Sequence, residues 1–142
     1  MSDGELERNK AIARAVFDVW STGNLERLDG LVASDVVHHD PYDPHAADGL
    51  AGMKRTIALN RAAFADMLLA VEDQVAEGDR VVTRWRGEMT HTGDLAGVAA
   101  TGRRLTITGI TIDRIEDGRI VEAWRSMDTL GLLRGIGVVE GA

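Results

Sequence analysis

Residues 105–128 read LTITGITIDRIEDGRIVEAWRSMD, and the period of this stretch decides the fold class. Leu105 and Ile107 alternate with polar residues, the pattern of a half-buried strand, and Ile110 and Ile112 continue the alternation in the opposite phase. The phase slip falls at Gly109, where a bulge or sharp bend is expected, and Gly109 is the candidate source of sheet curvature. Asp117-Gly118 is a strong two-residue hairpin signal. A further strand runs from Ile120 and ends at Asp128. On a strand, Trp124 and Asp128 share a face, because side chains alternate with period two. A carboxylate beside an indole on the inner face of a sheet is poorly hydrated. Lost hydration disfavours the charged form and makes the group a stronger base than an aspartate in water. The ordinary alternative is a solvated strand-end carboxylate, or one that caps the turn at Thr129-Leu130.

Upstream, the same period appears in Met67, Leu69, Val71 and Val75. Ala76-Glu-Gly-Asp79 reads as a hairpin turn, after which Val81, Thr83, Trp85, Met89 and His91 share one parity. Thr92 to Gly102 is rich in Gly and Ala and reads as a loop; Gly93-Asp-Leu-Ala-Gly97 within it suits a mobile pocket mouth. Before residue 65 the period is helical. Ser2-Asp-Gly-Glu5 resembles a capping box, followed by Leu6, Ala13, Val16, Phe17 and Trp20 at helical spacing, with a stop at Gly23. Asn24 can cap a short helix from Leu25 to Leu31. Val36-Val37-His38-His39 is a short strand leading into a loop fixed by Pro41 and Pro44, and Asp48 can cap a helix carrying Leu50, Met53, Ile57 and Phe64. Leu130 to Ile136 reads as a closing helix or turn. Helices first and an antiparallel meander after them make an α+β layout, in which a bent sheet with helices on one side encloses a pocket.

The chain has 142 residues, 44% of them hydrophobic, which suits a single domain, residues 1–142, with one core. A formal net charge of -7 argues against nucleic acid or an anionic membrane as partner. There is no cysteine, hence no disulfide framework and no thiolate metal site. No signal peptide or membrane span is evident, and the cytoplasm is the default location.

His91 shares the parity of Trp85 and Met89, and His39 ends its short strand; either could orient or polarise a substrate oxygen. His38, His39, Asp40, Asp43 and His45 invite a metal reading, but adjacent strand residues point to opposite faces and the spacing matches no strong motif, so no metal is assigned. Phe17, Trp20, Trp85, Met89 and Trp124 are ordinary core residues or, together, walls for a flat aromatic ligand. The glycines fit no phosphate or dinucleotide fingerprint.

The ordered set Asp35-Val-Val-His-His39-Asp-Pro41, Ala76-Glu-Gly-Asp-Arg-Val81, Thr90-His91-Thr-Gly93, Ala100-Thr-Gly-Arg103, Ile115 to Glu122, Trp124-Arg-Ser-Met-Asp128 and Leu130-Gly-Leu-Leu133 resembles the SnoaL-like polyketide cyclases over nearly the whole chain. Ala65 stands where that family often has Pro. The resemblance implies a cone-shaped α+β fold of the nuclear-transport-factor-2-like type, enclosing a deep pocket, and at least a homodimer. It implies that Asp128 is the acid/base aspartate of an ester cyclase that closes the last ring of an aromatic polyketide by an intramolecular aldol reaction, with no metal or organic cofactor. The substrate is then a small aromatic or apolar molecule, with His91 and His39 at its oxygens. The same cavity also suits another proton-transfer reaction (a ketosteroid-isomerase-like shift, a dehydration or an epoxide opening), a non-catalytic binder of a small apolar ligand, or a scaffold whose sheet face is an interface.

Overall fold

The computed structural model describes residues 2–140. Helix α1, Asp3–Thr22, begins where the Ser2 hydroxyl accepts the Glu5 N–H and ends at Gly23, whose φ of 78° is the left-handed conformation that favours glycine. A 3-10 turn over Leu25–Gly30 leads into strand β1, Val32–His39. Helix α2, Gly49–Ala63, follows the proline loop. Arg61 of α2 donates to the carbonyls of Trp20 and Ser21 at 2.8 and 2.9 Å, placing a cation where the end of α1 leaves its acceptors unpaired. The strands β2 (Leu68–Glu77), β3 (Arg80–Thr90), β4 (Arg104–Glu116) and β5 (Arg119–Met127) follow, and a short helix α3, Thr129–Gly135, closes the chain.

The five strands form one open, mixed sheet in the order β1-β5-β4-β3-β2, with β1 parallel to β5 and all other pairs antiparallel. The hairpins turn where the sequence places them, at Gly78-Asp79 and at Asp117-Gly118, where φ values of 51° and 78° are those of a type I′ turn. Helices α1 and α2 cover the concave face, and Ala13, Val16, Phe17, Val19, Trp20, Met53 and Ile57 bury their side chains against it. This is the α+β cone that the sequence suggests. No helix among the described residues is long and apolar enough to cross a membrane.

The expected slip at Gly109 is not there. β3 and β4 pair without interruption from Arg80↔Arg114 to Thr90↔Arg104. The register shifts lie elsewhere, between Val32 and Val37 on β1, between Val71 and Asp73 on β2 and between Arg114 and Ile115 against β5. Gly109 pairs with Trp85, and a Cβ at that position would collide with the Trp85 indole. The glycine therefore makes room for a ring. With no slip, Leu105, Ile107, Gly109, Thr111, Asp113 and Ile115 all belong to the inner face, while Ile110 is 47% exposed on the outer one.

The same continuity corrects the reading of β5. Trp124 and Asp128 do share a parity, but it is that of the outer face. Ala123 and Arg125 are the residues that turn inward.

Candidate active site

Strand register lays out the floor of the concave face as a grid. One row runs Val81, Asp113, Ala123, His38 across β3, β4, β5 and β1; the next runs Thr83, Thr111, Arg125. Strands lie about 4.8 Å apart, so the backbones of Asp113 and His38 are separated by roughly 10 Å. Only the small Ala123 side chain stands between them. Val16, Phe17 and Trp20 of α1 and Met53 and Thr56 of α2 form the opposite wall, and Asp40 and Asp43 from the loop after β1 complete the rim.

The cavity enclosed between these walls is small, about 50 Å³. That is well below the roughly 300–1,000 Å³ of typical small-molecule sites. A planar ring system would therefore enter only by displacing side chains, of which Met53 is the most adaptable.

Asp113 is 5% exposed. Burial alone pushes its carboxyl up to about 7. Among the described residues no side-chain hydrogen bond or opposing charge offsets that cost. A buried carboxylate without a partner is rare in a purely structural role. His38, on the same floor, is held below its ordinary value first by burial and then by the Arg125 charge, so it is a neutral imidazole at pH 7. Arg125 donates from Nε to Asp40 Oδ2 at 3.0 Å, with Nη2 in ion-pair contact with the same oxygen at 3.0 Å, and lies 5.0 Å over the Trp20 ring. Asp43 Oδ1 accepts from the Thr56 hydroxyl and the His45 N–H, each at 2.8 Å. Trp85 Nε1 donates to Thr111 Oγ1 at 3.1 Å, which fixes the indole over Gly109.

The residues singled out from sequence separate into three groups. Phe17, Trp20 and Trp85 line the cavity as expected. Met89 and His91 face inward but are packed in the core: Met89 is 2% exposed, and His91 lies 5.6 Å from Phe64. His91 Nδ1 meets the hydroxyl and N–H of Thr101, so this histidine pins both ends of the loop over residues 92–102. Trp124, His39 and Asp128 are outside. His39 stacks on Trp124 at 5.1 Å and bonds Glu122 at 2.8 Å, with Arg80 over the same indole. Asp128 is exposed at the N-cap of α3, where it accepts the Gly131 N–H at 2.8 Å. The alternative reading of Asp128, a turn cap, describes its position. His38 faces the cavity and His39 the opposite side, so the pair does not converge on one ion.

Asp113 and Arg125 are chemistry-bearing residues that the sequence reading passes over, and His38 and Asp40 are ones that it weighs only as metal ligands. A signal for Asp113 existed: it lies six and eight residues from Ile107 and Leu105, on the parity of the buried alternation. Ile110 and Ile112 obscured it, because apolar residues on the outer face imitate a change of phase.

A family model for the SnoaL-like polyketide cyclases matches residues 10–136. Among solved structures, IdmH from Streptomyces antibioticus, a candidate polyketide cyclase, is 32% identical with a TM-score of 0.79, over 91% of this chain and 98% of its own. A candidate polyketide cyclase from Acidithiobacillus ferrooxidans is also 32% identical, with a TM-score of 0.80 over 96% and 97%. AclR from Streptomyces galilaeus, a candidate hydroxylase, is 27% identical with a TM-score of 0.84 over 96% of this chain and 85% of its own. Among curated proteins none matches significantly.

Proposed function

Because the chain belongs to the SnoaL-like polyketide cyclases, we propose that it closes a ring of an aromatic polyketide ester by an intramolecular aldol reaction, with Asp113 as the proton-transfer group. The observation that carries this reading is the unpartnered carboxylate of Asp113 on the floor of an aromatic-walled cavity, raised to about 7 by burial. A base works best when it ionises near the working pH, because it is then both populated and strong.

In the forward step Asp113 takes the acidic proton from a methylene between a ring and an ester carbonyl. The electron pair moves into the enolate and the conjugated rings. The carbanion attacks a carbonyl on the neighbouring substituent, forming the new carbon–carbon bond, and the alkoxide recovers the proton from Asp113. Atoms and electrons balance within the substrate, so the product is an isomer. Phe17, Trp20 and Trp85 hold the rings flat, and such orientation supplies several kcal/mol of the barrier, up to roughly 7–11 in favourable cases.

The test is incubation with a panel of anthraquinone-type esters carrying an activated methylene. A chromatographic shift at unchanged mass marks ring closure, whereas gain of one oxygen would support instead an activity of the kind named for AclR. Tight binding with neither change would support a ligand-binding role.

A further inference from the structure

We propose that Arg125 holds the oxygen on which negative charge develops when the base acts. This inference rests on the aldol reading and assigns the second half of its site. Arg125 has five N–H donors in a planar fork. Nε and Nη2 are engaged by one oxygen of Asp40, the guanidinium is braced on the Trp20 face, and Nη1 has no protein partner among the described residues. The side chain is 22% exposed, on the cavity side.

The register explains why this cation does not silence the base. Arg125 is opposite Thr111, one position along from the Ala123–Asp113 pair, and its charge goes to Asp40, leaving burial as the cause of the raised Asp113 value. A direct ion pair would pull Asp113 down and remove its basicity. A substrate spanning the two places its acidic carbon at Asp113 and the conjugated oxygen at Arg125 Nη1. As the proton leaves carbon, the electron pair shifts to that oxygen. A positioned donor then gains most where the charge appears, in a site with little water. The other titratable groups facing this position are Asp40, Asp43, Asp113 and His38. When the enolate forms, Asp113 carries the substrate's proton and is neutral, so the carboxylates of Asp40 and Asp43 oppose the anion and Arg125 is the cation that stabilises it.

A dihydroxyanthraquinone dye tests this, because its phenol becomes a coloured phenolate and it has no acidic C–H for Asp113 to remove. Its titration is followed by visible absorbance in the full chain with the Asp113→Asn substitution, which leaves the dye as the cavity group titrating at and above neutrality. Bound dye is expected to ionise about one pH unit below free dye, roughly tenfold more phenolate at a fixed pH. Asp40→Asn, which removes the negative charge that competes for the guanidinium, should deepen the shift. Arg125→Met should abolish it, as should Arg125→Met combined with Asp40→Asn, a variant with no unpaired buried carboxylate to unfold it. An unchanged shift without Arg125, or no downward shift with Arg125 present, overturns the proposal. Phenolate stabilisation without closure of any ester would leave the anion site standing and sink the aldol reading; Asp113-dependent closure with an Arg125-independent dye shift would do the reverse.

Discussion

At the residue scale, two aspartates of the same chain illustrate how environment assigns a role. Asp113 is enclosed and unpartnered; Asp128 is exposed and occupied by the Gly131 N–H. Asp113→Asn keeps the shape and removes the base, so turnover on a cyclase substrate should fall by about 10²–10⁴ while binding persists, checked by single-turnover chromatography. Asp128→Ala should cost about 1 kcal/mol of stability through the lost cap, read as a lower Tm, with turnover retained. The shared parity of Trp124 and Asp128 was legible in the sequence. Which side of the sheet that parity faces was not, because β5 carries an indole outward, where His39 and Arg80 cover it, and an arginine inward, where Asp40 neutralises it. Apolar-in, polar-out reasoning inverts when the inner face lines a cavity.

At the element scale, helices, hairpins and the 92–102 loop followed from period and turn chemistry, since each depends on local backbone preference; of the expected caps Ser2 makes its hydrogen bond, while Asn24 and Asp48 stand at the N-cap without a side-chain one. The phase of β4 did not, because inward Thr111 and Asp113 are polar and outward Ile110 and Ile112 are apolar. Gly109→Ala isolates that point. A methyl at this site meets the Trp85 ring, and overpacking of this kind costs about 1–3 kcal/mol. Denaturant unfolding of Gly109→Ala should show that loss; a neutral substitution would mean that the indole does not lie over the glycine.

At the scale of the whole molecule, the cavity costs stability that the rest of the core supplies. The folded Asp113 holds its proton up to about pH 7, against 3.8 unfolded. Between those values the native state binds more protons than the unfolded one, so this group makes stability fall as pH rises, by at most about 4 kcal/mol over the window. Glu122, held low by hydrogen bonds from His39 and Arg114, acts with the opposite sign: its contribution is present above its unfolded value and is lost as pH falls. Asp113→Asn should therefore match the wild type near pH 4 and exceed it near pH 8 in urea unfolding. The cone fold and its family were readable because they depend on the order of elements; the site was not, because it depends on which side chains share a row across four strands. The most direct test of the account is the pH dependence of single-turnover ring closure by the wild-type protein with an anthraquinone-type ester carrying an activated methylene. The account predicts a rate that rises through about pH 7 and is lost in Asp113→Asn but kept in Asp128→Asn. Loss in Asp128→Asn with retention in Asp113→Asn would contradict it.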